Sequence, residues 1–154
     1  MPAAVNTSIN AVTGKITETV IPWTKPMLRA MLAEFRYGRE TAGISIEGQA
    51  ISTEREEMPV WQGMLFDVVM NPGVRDAYEY KPRNGDNVSL TVAQVKRAYE
   101  CFAWYVSACF AYERMFAEEL QAATDSPEVF DAFAVQMLDQ ANWPQTEFLW
   151  ELPQ

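Results

Sequence analysis

Apolar positions along this chain change their period several times, and each change marks an element. Residues 1–22 are polar, with Val5, Ile9, Val12, Ile16, Val20 and Ile21 scattered among Thr and Asn. Their steps are mostly three or four, but Thr and Asn lower helix propensity. The stretch reads as an extended arm with room for one strand, either a docking segment or a disordered terminus. From Thr24-Lys25-Pro26 onward, Met27, Leu28, Met31, Leu32 and Phe35 recur at helical spacing. The Thr24 hydroxyl can accept an unpaired amide of the first turn, where proline lacks one. With Gly38 as C-cap, a helix is expected over about residues 25–37.

Period two follows. In Gly43-Ile44-Ser45-Ile46-Glu47-Gly48-Gln49-Ala50-Ile51-Ser52-Thr53 apolar and polar residues alternate on both sides of Glu47-Gly48, as a β-hairpin does. After Pro59, Val60, Trp61, Met64, Leu65 and Val68 form a second helical stripe, ended by Asn71-Pro72-Gly73. A second hairpin is expected from Tyr78 to Thr91, turning at Asn84-Gly85, with Pro82 marking an edge strand.

Thr91-Val92-Ala93-Gln94 matches a capping box and opens the longest element, about residues 92–122. One stripe runs Val92, Val95, Tyr99, Phe102, Val106, Cys109, Glu113, Phe116, Leu120, a heptad seam. A second runs Ala98, Cys101, Tyr105, Ala108, Tyr112, Met115. A helix apolar on two faces must be covered on two faces; here the hairpins or a neighbouring chain would cover the second. Ser126-Pro127-Glu128 starts a last helix carrying Val129, Phe130, Phe133, Met137 and Leu138, stopped by Asn142-Trp143-Pro144. The tail then carries Phe148, Leu149, Trp150 and Leu152 beside two acids, and either folds back or binds a partner.

The expected class is α+β and mainly α: a small helical bundle around one long helix, with two short β-hairpins. Three segments follow from the pattern: 1–42, an arm plus one helix; 43–141, the helical domain with hairpins; and 142–154, the aromatic tail.

Charge narrows the partners. Twenty-one acids against twelve bases give a net charge of -9, which opposes binding to phosphate backbones and anionic membrane surfaces. Lys81 and Arg83 beside Tyr78 and Tyr80 are therefore read as surface and not as a nucleic-acid site. The start lacks the basic flank and apolar run of a signal peptide. Cys101 and Cys109, eight residues apart in one helix, would lie about 12 Å apart at 1.5 Å per residue. That is beyond disulfide reach, so free buried thiols and a cytoplasmic site of synthesis are expected.

Candidate chemistry is thin. The chain has no histidine, which excludes Ser-His-Asp and Cys-His arrangements, and two cysteines alone cannot build a four-ligand zinc site. No phosphate-binding glycine motif is present. Asn84-Gly85-Asp86-Asn87 lacks the spaced acids of a calcium loop and reads as a turn. Glu113, Glu118 and Glu119 on the long helix are the remaining carboxylate cluster. Glu113 interrupts the seam and is read as a polar contact that sets helix register. No catalytic residue, cofactor or metal is expected, and the chain is read as a docking protein and not an enzyme.

A resemblance adds to this. From about Ile44 to Phe133 the chain resembles an uncharacterised domain family of tailed-phage proteins encoded near tail fibres. The residues that carry it come in order: Ile46-Glu47-Gly48-Gln49-Ala50-Ile51-Ser52-Thr53, a helix, Tyr80-Lys81-Pro82-Arg83-Asn84-Gly85, Val88-Ser89-Leu90-Thr91, then Phe110-Ala111-Tyr112-Glu113-Arg114 and Gln121-Ala122-Ala123-Thr124-Asp125. Family members carry Trp-Lys before the turn, where this chain has Tyr80-Lys81. The resemblance implies a virion protein of the phage tail, baseplate or fibre-attachment region, made in the host cytoplasm. Its partners would be other tail, baseplate or fibre proteins, with the chain oligomeric within that assembly. The alternative is a tail-fibre assembly chaperone absent from the mature particle. Tyr105, Tyr112, Trp143, Phe148 and Trp150 are the expected contact residues, because aromatic side chains dominate interface energy.

Overall fold

The computed structural model describes residues 4–9, 13, 16–82 and 85–151. The expected arm is instead a hairpin: β1 (Ala4–Ile9) pairs antiparallel with β2 (Ile16–Ile21), Ala4 opposite Ile21 and Ile9 opposite Ile16. Every residue of Ile16-Thr17-Glu18-Thr19-Val20-Ile21 except Glu18 is β-branched. That stiffens χ1 and favours a pleated strand over a helix.

The next helix, α1 (Lys25–Thr41), starts where expected, the Met27 amide donating to the Thr24 hydroxyl. It does not stop at Gly38. A glycine inside a helix is unfavourable by roughly 1 kcal/mol but leaves the hydrogen-bond ladder intact. The chain leaves helical geometry at Gly43, whose φ is 89° and where a Cβ would stand 3.1 Å from the Ile51 carbonyl oxygen. Strands β3 (Ile44–Ile46) and β4 (Gln49–Ile51) form the expected hairpin. Glu47 (φ 48°) and Gly48 (φ 84°) both take positive φ at its turn, the requirement of a type I′ connection.

A tight turn at Arg55–Glu57 leads into α2 (Met58–Met70). The second hairpin joins β5 (Ala77–Tyr80) to β6 (Val88–Thr91), Tyr78 opposite Leu90. Tyr78 and Tyr80 point inward between outward Ala77 and Glu79. Pro82 lies past the end of β5 and not in an edge strand, since a residue without an N–H cannot extend the ladder. Arg83 and Asn84, assigned to the turn, fall outside the described residues.

The capping box closes as written at the start of α3 (Val92–Ala122): the Thr91 amide donates to Gln94 Oε1 and the Gln94 amide to Thr91 Oγ1. Helix α4 (Pro127–Leu138) is capped by Ser126, which accepts from the Val129 amide. The last element is β7 (Glu147–Phe148), which pairs parallel with β3 and completes a three-stranded sheet in the order β4-β3-β7. The architecture is mixed α+β, with four helices among the described residues, α3 the longest at 31 residues, plus small sheets and hairpins. A third hairpin, β1–β2, and the strand β7 add to the two hairpins read from the sequence.

The chain divides into two compact units, Met1–Phe35 with Glu113–Trp143, and Arg36–Tyr112 with Pro144–Gln154. In the first, Phe116 meets Phe133 edge-on at 6.1 Å and Trp143 at 5.6 Å, and Phe35 meets Trp143 at 5.4 Å. Leu28, Leu32, Leu120 and Met137 are buried in the same unit. Lys25 donates to the Gln121 and Ala123 carbonyls and pairs with Asp125. A cation is thereby held where the carbonyls at the end of α3 concentrate partial negative charge. The second unit has its own core, built from Ile44, Ile46 and Ile51 of the sheet, Trp61 of α2, Tyr80 and Leu90 of the second hairpin, and Val95, Phe102 and Tyr105 of α3. Both apolar stripes of the long helix contribute buried residues, Val95, Phe102, Phe116 and Leu120 from the first and Ala98, Cys101 and Tyr105 from the second, whose last member, Met115, is 42% exposed.

Candidate docking surface

The tail folds back along β3. The Ser45 amide donates to the Thr146 carbonyl at 2.7 Å and the Glu47 amide to the Phe148 carbonyl at 3.0 Å. Arg97 Nε donates to the Leu149 carbonyl at 2.9 Å, and the Trp150 amide to Glu47 Oε2 at 3.1 Å. Phe148 meets Trp104 of α3 edge-on at 5.7 Å. Phe148 and Trp150 are half-buried against the core, while Leu149 between them is exposed. Leu152 falls outside the described residues.

The expected contact residues separate accordingly. Tyr105 is fully buried, its hydroxyl donating to the Arg39 carbonyl at 2.6 Å, and Trp143 is buried with its indole N–H on the Met137 carbonyl at 2.8 Å. A side chain enclosed in this way reaches no partner without opening its own core, so both are corrected to core residues. Tyr112 is half-buried on α3. Phe148 and Trp150 sit together in the tail, as their spacing of two in an extended segment dictates. Of the five, two are therefore buried and Tyr112, Phe148 and Trp150 remain partly exposed.

Exposed apolar side chains also gather elsewhere. On α2 and just beyond it, Phe66 is 66% exposed, Val69 64%, Met70 60% and Val74 73%. Trp61 and Val68 of the same helix are buried, so α2 is apolar on its inner and outer faces alike. The signal was present in the sequence: Phe66, Val69 and Met70 are the apolar residues left over after the stripe Val60, Trp61, Met64, Leu65, Val68 is assigned. A helix apolar all round is one whose outer face needs covering. Trp104 and Phe110 on α3 are also exposed.

Several charged groups in the second unit engage one another. Glu40 is buried and accepts from Arg36 and from Arg55 Nε at 3.2 Å; Arg55 also lies over the Tyr37 ring. The hydrogen bond from Arg55 to Glu40 is the main reason its guanidinium pKa is raised. Asp67 accepts from Asn71 at 2.7 Å and from the Tyr78 hydroxyl at 2.9 Å, and pairs with Arg75 at 3.1 Å. Those bonds, Asn71 first, hold its carboxyl below the usual range. Burial raises the Cys101 and Cys109 thiols, which are free and buried as expected, and a raised thiol pKa makes them poor nucleophiles. Glu118 and Glu119 are exposed, Glu118 standing 4.0 Å from Arg114.

Two grooves open on this unit. One of about 380 Å³ lies on the outer face of the three-stranded sheet, where Ser45, Ala50 and Glu147 point away from the core, with Arg39 at its side. The other, of about 330 Å³, is walled by Met58, Phe102, Val106 and Phe110, with Glu40 and Arg55 among its lining residues. Among the described residues no group of three or more acidic, Cys or His side chains is placed to hold a metal ion. No helix of the described residues is long and apolar enough to cross a membrane.

Fold and surface together define an α+β domain of helices and short hairpins, with an apolar outer helix face and a tail laid on a sheet edge. The chain belongs to the family described as a domain of unknown function, DUF4376, whose model matches residues 24–135. The hairpin β1–β2 and the strand β7 lie outside the matched span. No curated protein and no solved structure matches the chain.

Proposed function

We propose that this chain is a bacteriophage structural protein of the tail, baseplate or fibre-attachment region, acting by docking onto other proteins of that assembly. The observation that carries the docking half of this reading is the apolar outer face of α2. Phe66, Val69 and Met70 stand at helical spacing on it, with Val74 just beyond, each more than half exposed, and exposed apolar residues so placed mark an interaction site when contiguous. The phage half rests on the sequence resemblance from Ile44 to Phe133. The net charge of -9 favours a protein partner over nucleic acid.

Mass spectrometry of purified particles of the source phage tests it. The chain is expected in mature tails at a stoichiometric level. The double substitution Phe66→Ser with Met70→Ser should deplete it from particles at least tenfold while leaving its helical circular dichroism unchanged. Absence of the wild-type chain from mature particles rejects the structural role. If co-expression then improves trimerisation of the neighbouring fibre without a lasting complex, the protein is an assembly chaperone.

A further inference from the structure

We propose that the edge of β3, together with the face of α3 that carries Arg97 and Trp104, is a strand-accepting site. In this structure the chain's own tail fills it. An extended segment of another polypeptide with aromatic residues two apart is the external occupant. The inference is independent of the phage reading above.

The contacts have the form of peptide recognition by strand addition, in which main-chain hydrogen bonds give affinity and alternate side chains give specificity. Ser45 and Glu47 present their amides outward from β3 and find carbonyls only in the tail, at Thr146 and Phe148. Phe148 and Trp150 turn toward the core while Leu149 stays in solvent, so the occupant is read at every second residue. Arg97 clamps the Leu149 carbonyl and Glu47 the Trp150 amide; these contacts are to backbone and accept any sequence of that pattern. Trp104 supplies an aromatic edge contact for the first ring.

Glu47 gives this clamp a signature. It is the only non-glycine residue at positive φ among those described, at 48°. Asn or Gly would suit that turn position better. A glutamate held there is accounted for by its carboxylate, which reaches the Trp150 amide. The tail is also a light fastening. Its strand is two residues long, and it lies outside the span that the family model matches. Short elements with few backbone bonds open independently of the core.

The test uses the full-length chain and a synthetic peptide of residues Pro144–Glu151. In the wild type the tethered tail competes at an effective concentration of about millimolar, so the peptide should bind weakly. In Phe148→Ser with Trp150→Ser the tail is disarmed, and calorimetry should show saturable binding at least tenfold tighter than to wild type. Adding Arg97→Ala should reverse most of that gain. A folded double variant that binds no better than wild type overturns the proposal.

Amide exchange on the wild-type chain decides independently of whether the variant folds. The Ser45 and Glu47 amides should exchange at least tenfold faster than that of Phe102 in α3. Exchange of all three at one common rate means the tail leaves only on global unfolding, which also overturns it. Glu47→Gly relaxes the turn and removes the latch, and should speed the Ser45 and Glu47 amides further without lowering the melting temperature.

Discussion

The sheet β1–β2 and the sheet β4-β3-β7 behave in opposite ways. In β2 all six residues are exposed, Ile16 and Val20 each 60%. In β3 the alternation is complete, Ile44 and Ile46 buried and Ser45 between them only partly so. Both strands are rich in β-branched residues, so local propensity does not separate them. What separates them is coverage. Ile44 and Ile46 belong to a core that also holds Trp61, Tyr80, Leu90 and Phe102, and β3 is hydrogen-bonded on both edges, to β4 and β7. Among the described residues the β1–β2 sheet has two strands, and a two-stranded hairpin alone is marginal in water. The same residue types therefore stabilise in one place and only decorate in the other.

The buried side of that comparison breaks most readily at Glu40, beside the hairpin of β3 and β4. Its carboxylate, 4% exposed, is held by Arg36 and Arg55. Removing one partner of a buried ion pair leaves an uncompensated charge, at a cost of about 3–5 kcal/mol. Glu40→Ala should lower the urea midpoint by up to that equivalent, since Arg36, itself mostly buried, loses its Glu40 partner. Next in size is Ile46→Ala. Ile46 is fully buried, and truncating such a residue costs about 2–5 kcal/mol through lost transfer energy and the cavity left. A loss below about 1 kcal/mol in either variant, by equilibrium urea unfolding, would mean that this sheet is no better covered than β1–β2.

A smaller effect sharpens the same boundary by pH. Tyr80 is buried against Trp61, its ring 4.5 Å away, and its hydroxyl accepts from the Ser52 amide. Burial pushes its pKa from 10.0 up to about 12. Between those values the unfolded chain releases this proton and the folded chain keeps it. Stability therefore falls as pH rises across the window, and is unaffected by this group below it. Tyr80→Phe should lose about 1 kcal/mol at pH 7 through the missing hydrogen bond. It should also show a shallower decline between pH 10 and 12 than wild type, followed by urea unfolding at each pH. An unchanged alkaline slope would place Tyr80 in contact with solvent.

How much of this was readable in advance follows from the range of each interaction. The starts of α1, α3 and α4 were legible because a cap lies within three residues of the amide it satisfies, as Thr91 and Gln94 do. The hairpin at Glu47-Gly48 was legible because alternation and turn sit side by side. The β1–β2 hairpin was not: Ile16, Val20 and Ile21 also fit steps of four and one, and residues 10–15 contain no tight-turn dipeptide. Tyr105 misled for a different reason. Its stripe shows that the face is apolar, but what covers it is a carbonyl 66 residues away and a core drawn from five other elements. The parallel pairing of β7 with β3 joins residues about a hundred apart, and nothing local announces it. The outer face of α2 is written in the sequence as Phe66, Val69 and Met70, but a single apolar stripe already specifies a helix and says nothing of its other face.

The smallest expected effect is at β2, and it tests the exposed side of the comparison most directly. Val20 is 60% exposed, on a strand with no buried position. Val20→Ala removes β-branching from a strand, worth a few tenths of a kcal/mol where neighbours are few, and leaves no cavity because no atoms enclose the site. Surface substitutions of this kind stay within about 0.5 kcal/mol. The urea midpoint should therefore be nearly that of wild type, against the large shift at Ile46. The pair is informative only together, since β-branched residues in β-strands are being truncated in both cases and coverage alone differs. A loss at Val20 approaching that at Ile46 would show that the hairpin is covered in solution, by this chain or by another copy of it. Repeating the measurement over a hundredfold range of protein concentration separates these two, because only the second makes the midpoint concentration-dependent.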